Sequence, residues 1–558
     1  MTPPFDPVLF NPYPEYDGYD YLKEYVPVEP CYLNEDSKVT PPNVFAYPGI
    51  PANMTAAPVG SYDLLGLDKD VCFDRFSRFY SYGYGYDPDK GGLGLADFSE
   101  KGGAEKVIRM SNKTDYRDMD WAKAQETCYN KNRYRFESNN TYHSSKTRLP
   151  RTAYVLRTYT GYQYTDYQIL SLRAMINELS IKSGAEYDVH FLVQVKDNTI
   201  PIWADDDVYR KLLQDSLPEE FWGMATLWSE QQMRAYYPEP FFDNIENFSG
   251  HDIYSVYRTG QWALQWFSQE HPEYDYVWNW EMDVRFTGHY YEFHNSIAKW
   301  AKQQPRKGLW ERSSTYYIPE RHGSWENFTE WVESRRIANQ SESTWGPVSF
   351  NISARLETPA EYSPPHSLED DDYKWGVGEE ADLITFNPIF DPDYTAWVFG
   401  KDLTGYDRAY PIPPRRAAII TVSRLSKRLL AMMHKETYKM KRVGFPEMYP
   451  ATVAYHHGLK ATYAPHPLYF DRDWPLETID QVFNDPVDPF ESVFARGEHN
   501  MAGTSFYYNS GFAGALWRRW LGARENNEGG ARDELEGTGR MCLRSLLVHP
   551  IKFEAGSE

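Results

Sequence analysis

The chain is short of most features that would settle its class quickly. No stretch reaches the roughly 18 apolar residues that a membrane-spanning helix needs. Its first residues, "MTPPFDPVLFNPYPEYDGYDY", have neither the basic segment nor the apolar run of a secretory leader. Together these absences predict a soluble protein with no transmembrane segment. Basic residues are outnumbered, 58 Lys and Arg against 80 Asp and Glu, for a net charge of −22. That balance argues against a nucleic-acid partner, because phosphate binding rests on clustered cations. The four cysteines, Cys31, Cys72, Cys128 and Cys542, are too few for a disulfide scaffold and enough for one or two bridges. None of them forms a C-x-x-C pair, which makes a zinc ribbon or a thioredoxin-type site a poor fit. Also missing are a G-x-x-x-x-G-K-S/T phosphate loop, an H-E-x-x-H zinc helix, a G-x-S-x-G elbow and a G-x-G-x-x-G turn after a strand.

Aromatic residues are plentiful, at 16% of the chain, and 45 of them are tyrosines. Tyrosine pairs a flat apolar face with a polar tip, which suits a wet cleft as well as an ordinary core. Seven N-x-S/T sequons occur, at Asn53, Asn112, Asn139, Asn247, Asn327, Asn339 and Asn351. Chance predicts roughly three, so the excess points to a secretory-pathway lumen (Golgi or ER) if the sites are used, and otherwise to a soluble cytoplasmic protein.

Residues 1–148 are dense in Pro, Gly and Tyr and read as an irregular extension packed on a later domain. Order begins at "AYVLRTY", a buried strand. A helix follows, capped by Thr165 or Asp166 and stopped at Gly184, and then the strand "YDVHFLVQV". Strand, helix and strand in that order make a βαβ unit and hence a parallel sheet. The same grammar recurs through "DIYSVYRTGQWALQWFSQE" (helix), "YDYVWNW" (strand) and "GHYYEFHNSIAKWAKQQ" (helix). Residues 341–378 read as a linker or insertion. Beyond them "EADLITFNPIF" resumes the structure, a strand runs into a helix in "PRRAAIITVSRLSKRLLAMMHKE" with Ser423 as cap, and "PATVAYHHGLKATYAPHPLYF" reads as two short strands.

Chemistry concentrates at "WEMDVR". Glu281 and Asp283 fall at or just beyond the C-terminal end of a sheet strand, where ligands of open α/β sheets bind. Carboxylates there suit a hard cation such as Mn²⁺ or Mg²⁺. The plainer alternative makes Asp283 a cap for the next helix and pairs Glu281 with Arg285. Arg285, Arg306, Lys307 and Arg312 are nearby cations that would offset phosphate charge. His456, His457, His466 and His549 are candidate third ligands, and Lys552 is placed to reach the same anion as His549. The basic run Arg415–Arg442 offers either a diphosphate or acceptor surface or a solvated helix face. Glu447 and Glu436 are the candidate general bases.

"VLRTYTGYQYTDYQILSLRAMINELS", "YDYVWNWEMDVRFTGHYYEF", "YHHGLKATYAPHPLYFDRDWP" and "GRMCLRSLLVHPIK", in this order, resemble an uncharacterised fungal family catalogued as a domain of unknown function, over about Cys72 to Phe553. That family is similar to nucleotide-sugar glycosyltransferases of the GT-A type, whose D-x-D pair binds metal and sugar nucleotide. The resemblance implies a GT-A-like, Rossmann-like α/β fold with a mostly parallel sheet flanked by helices, spanning 149–555. Its 149–340 half would hold nucleotide and metal, and its 379–555 half the acceptor. It implies Asp283 as metal ligand, Glu281 as the first acid of the pair, and Arg157 and Thr158 beside the nucleotide. Enzymes of this type usually carry an N-terminal membrane anchor, which this chain does not show. The expected activity is metal-dependent transfer of a sugar from a nucleotide-diphosphate donor to a hydroxyl of a glycan, protein or small molecule. The rivals are a two-carboxylate glycoside hydrolase and a non-catalytic carbohydrate-binding protein.

Overall fold

The computed structural model describes residues 6–49, 57–96, 99–137, 145–242, 245–350, 356–393, 395, 397–484, 502–536 and 539–554. Three of the seven sequon asparagines, Asn53, Asn139 and Asn351, lie outside them.

At its centre is a seven-stranded sheet. β1 (Thr152–Tyr159), β2 (Tyr187–Gln194), β3 (Ala225–Trp228) and β4 (Tyr276–Glu281) come from the first half of the domain. β5 (Leu383–Thr385), β6 (Ser423–Ser426) and β7 (Ala461–Tyr463) come from the second. Their order across the sheet is β7-β5-β6-β4-β1-β2-β3. β1 pairs in parallel with both β2 and β4, and only β6 runs against its neighbours. The mostly parallel α/β sheet expected from the sequence is therefore present. Chain order reverses direction across the sheet between β1 and β4, and such a switch point opens a crevice at the strands' C-terminal ends.

The sheet is buried on both faces, which is why its strands read as near-continuous apolar runs. Side chains alternate along β1 and β4. Ala153, Val155 and Val277 join one core with α2 (Trp262–Glu270), α4 (Lys427–Met440) and α5 (Tyr449–His457). Tyr154, Leu156, Trp278 and Trp280 join the other, with α1 (Asp166–Ile176), α3 (Tyr290–Lys302) and much of the N-terminal extension. Thr165 caps α1, its hydroxyl accepting from the Gln168 amide at 3.1 Å.

The extension shares the domain's core from Cys31 through Phe136 and is tied down covalently. Cys31–Cys128 closes it on itself, and Cys72–Cys542 joins it to the C-terminal segment. Beside the second bridge Phe73 and Leu543 exchange backbone hydrogen bonds of 2.8 and 3.0 Å.

Two local expectations need correcting. "PATVAYHH" is helix α5, entered through Pro450 in its first turn and ended by Gly458 at φ +67°, where glycine costs nothing. Ser423 opens β6, and the cap of α4 is Ser426, whose hydroxyl accepts from the Leu429 amide at 3.0 Å.

Candidate metal centre

Glu281 is the last residue of β4, and its register partner on β1 is Arg157. Neighbours in register point to the same face, so guanidinium and carboxylate meet across the switch point, Nη2 to Oε1 3.3 Å. Trp278 and Trp280 alternate to the opposite face and pack against His294, leaving the acidic corner to polar groups. On the Glu281 face the buried Asn279 donates from Nδ2 to the Thr421 carbonyl at 2.7 Å. Thr421 then donates both its amide (3.2 Å) and its hydroxyl to Glu281. Just before it Ile420 sits at φ +73°. A β-branched residue in that region is strained by about 1–3 kcal/mol, a cost concentrated at functional sites.

Past β4 the chain turns, with the Val284 amide on the Glu281 carbonyl at 3.2 Å, and Asp283 stands on the turn. A short strand, Arg285–Phe286, pairs antiparallel with Leu547–Val548 of the C-terminal segment. That pairing delivers His549 to the acids. Its Nε2 lies 3.4 Å from Glu281 Oε2 and 3.4 Å from Asp283 Oδ1. One ligand atom from each of Glu281, Asp283 and His549 falls within 4.8 Å of the other two, the one such group of three among the described residues. Lys552, 64% exposed in its side chain, donates to Asp283 Oδ2.

The charges are strongly coupled. Burial alone would lower the His549 pKa, but hydrogen bonds to Asp283 and Glu281 outweigh it and lift the imidazole to about 9. Burial would raise both acids, and His549 reverses that, holding Asp283 well below the usual carboxylate range and Glu281 below its ordinary value. A protonated imidazole thus bridges the two carboxylates, with Arg157 on the far side of one and Lys552 on the other. Two carboxylates and one imidazole, with ligand atoms this close, suit a divalent ion such as Mn²⁺.

Glu447 lies just before α5 and lines a narrow crevice with Thr421, Gln261, Thr385 and Ser423. Burial, reinforced by the charge of Glu281, raises its carboxyl to about 7. Among the described residues none hydrogen-bonds its Oε2.

Other sequence candidates lie elsewhere. Glu436 and His457 meet each other, at 2.7 Å, in a buried cluster closed by Arg442. The expected base and the expected metal ligand satisfy one another there, away from Asp283. Thr158 alternates to the face opposite Arg157 and accepts from the Tyr164 hydroxyl at 3.1 Å. Arg285 is buried and pairs with Glu554 at 2.8 Å, so it faces neither Glu281 nor solvent. Its Nη1 donates to the carbonyls of Met282 (2.7 Å) and Val284 (3.1 Å), on either side of Asp283, which makes it a brace for the turn. The plainer alternative fails as well, since α3 begins at Tyr290, seven residues past Asp283. Arg306 pairs with Glu379, while Lys307 and Arg312 are taken up by backbone carbonyls. His456 and His466 bond the carbonyls of Pro414 and Phe386. In the basic run Arg415, Arg416, Arg424 and Arg428 are each paired with acids of the same fold. Thr421 and Asn279 carried no sequence signal. Both act through contacts between segments more than a hundred residues apart.

A family model described as a protein of unknown function (DUF3405) matches residues 72–553, and the chain belongs to that family. No curated protein and no solved structure matches it.

Proposed function

We propose that this protein is a metal-dependent, GT-A-like glycosyltransferase that moves a sugar from a nucleotide-diphosphate donor to a hydroxyl acceptor. The observation that carries the reading is the convergence of Glu281, Asp283 and His549 at the C-terminal end of β4, beside the switch point of the sheet. The strand order 3-2-1-4-6-5-7, with the sixth strand alone reversed, supports the fold half of the reading. Arg157 and Lys552 already match the two acids' charges, so a divalent ion held with His549 neutral leaves a surplus of two positive charges. A diphosphate is the natural counter-charge. The ion, Mn²⁺ or Mg²⁺, would neutralise charge developing on the departing diphosphate.

The chain's own residues divide the remaining work. Arg157 and Lys552 hold the anion in place. Thr421 fixes Glu281 by two hydrogen bonds, and Arg285 fixes the turn under Asp283. Glu447, which lines the crevice and has its carboxyl near 7, takes the acceptor's proton. One observation favours a second reading. A Glu447 that holds its proton beside an ionised Glu281 resembles the acid and nucleophile of a two-carboxylate hydrolase. Among the described residues no helix is long and apolar enough to cross a membrane. Two disulfides, and the exposure of all four described sequon asparagines (Asn112, Asn247, Asn327 and Asn339), support an oxidising, lumenal compartment.

The test is release of nucleoside diphosphate from a panel of nucleotide sugars. Transfer that requires Mn²⁺ or Mg²⁺ and stops with a chelator supports the transferase. Metal-independent cleavage of a glycan without nucleotide supports the hydrolase.

A further inference from the structure

A second crevice, of about 390 Å³, is lined in part by Glu239, Phe242, Asn247, His251 and Asp252. Aromatic side chains in and beside it are exposed. Phe242, in the lining, is 67% exposed, and Tyr257, outside the lining but with its ring flat on the lining residue His251 (centroids 4.7 Å apart, 7° between planes), is 64% exposed. Exposed apolar surface inside a concave, polar-rimmed site marks a place where something binds. The charges narrow the ligand class. Arg258 is spent in a buried pair with Asp402 at 2.6 Å, and Glu239 and Asp252, with side chains 69% and 60% exposed, share Arg234 at 3.5 and 2.7 Å. Arg258 and Arg234 are both taken by carboxylates, so neither is left to hold a phosphate or other anion. Flat rings beside carboxylates suit a neutral polyol, with C–H faces for the rings and hydroxyls for the acids.

Two sources of such a ligand meet here. The helix turn Val256–Thr259 carries Tyr257 and leads directly to Gly260 and Gln261. A Cβ on Gly260 would lie 3.4 Å from Arg157 Nη1, and Gln261 donates to the Pro446 carbonyl at 3.1 Å. The aromatic crevice is thus one helical turn from the Arg157–Glu447 corner, where an acceptor glycan would extend. Asn247, the other source, begins a sequon and lines the crevice itself, its Nδ2 on the His251 carbonyl at 2.8 Å. A glycan on that nitrogen would start inside the crevice.

We infer that the crevice lined by Phe242, Asn247 and His251, with Tyr257 stacked on His251, is a carbohydrate-binding subsite, filled by an acceptor glycan or by the protein's own glycan at Asn247. The experiment has two arms, and neither needs metal or nucleotide, so failure of the transferase reading would leave it intact. In the first, full-length Asn247→Gln protein is probed with chitobiose and α-mannotriose by saturation-transfer NMR and calorimetry. Binding that weakens at least about fivefold on Phe242→Ala or Tyr257→Ala supports a free-glycan subsite. In the second, the wild-type chain secreted from a eukaryotic host is treated natively with peptide N-glycosidase. Several-fold faster release of the Asn247 glycan in Phe242→Ala or Tyr257→Ala supports the protein's own glycan as occupant. Absence of sugar binding in the first arm, together with unchanged release or an unmodified Asn247 in the second, overturns the inference.

Discussion

Glu447 makes the sharpest claim about a single residue. A general base must be ionised to act, so transfer should rise with pH through about 7 and then level off. Glu447→Gln should lower kcat by about 10²- to 10⁴-fold and remove that acidic limb while Mn²⁺ binding persists. A variant with an unchanged pH profile would remove Glu447 from the mechanism. Glu292, on α3, offers a separate reading of stability. Its buried carboxyl accepts the Asp68 amide at 2.7 Å and is raised by burial to about 8. Between its ordinary 4.5 and that value the folded state holds the proton and the unfolded state releases it, so this group's contribution falls as pH rises. Glu292→Gln should therefore raise the melting temperature more at pH 8 than at pH 5, a difference that calorimetry at both values will read. At this scale the acid pair and His549 were legible, because carboxylates at a strand end and a histidine near a lysine are unusual enough to single out. Glu436 and His457 were not. Residue type alone cannot show that two candidates neutralise each other in a buried pair.

Among the elements, the C-terminal segment does the most for the site. It runs from Cys542, through the Leu547–Val548 pairing with Arg285–Phe286, to His549, and then to Glu554. Glu554 gathers Arg285, Trp517 and the α1 cap Thr165 onto one carboxylate. His549 and the carboxylate that holds Arg285 thus arrive on one segment anchored by one disulfide. Replacing Cys72 and Cys542 with serine should cost on the order of 2–5 kcal/mol of stability and weaken Mn²⁺ binding, because His549 loses its upstream anchor. Denaturant titration with parallel metal titration checks both, and a destabilised variant of unchanged metal affinity would show that the strand pairing suffices. Strands β1, β2 and β4 and helices α1 to α3 were readable from apolar runs and caps, whereas β3, only four residues long, was not singled out. α5 was misread as strand because Thr452, Val453 and Tyr455 favour β structure, while the two contrary signals, Pro450 and Gly458, are single residues at its ends.

Across the whole molecule, one sheet takes four strands from the first half and three from the second, and the acidic corner needs both. Glu281 and Asp283 belong to the first half, while Thr421, Glu447 and His549 belong to the second. The described part of the 1–148 extension holds a helix, Trp121–Asn132, and a sheet of three short strands, but much of its order comes from Tyr- and Phe-rich contacts with the domain and from two cross-links, which leave no periodic trace. Sequence separation was the barrier throughout. Asp283 and His549 are in one site because strands whose paired residues lie 261 and 263 positions apart meet, a fact no local pattern carries. The most direct measurement is a Mn²⁺ titration of the full chain with and without a nucleoside diphosphate, for the wild type and for Asp283→Ala. The account predicts saturable binding that tightens with the diphosphate and vanishes in the folded variant. Wild-type protein that binds no Mn²⁺ even with the diphosphate, or Asp283→Ala that binds as well as wild type, would contradict it.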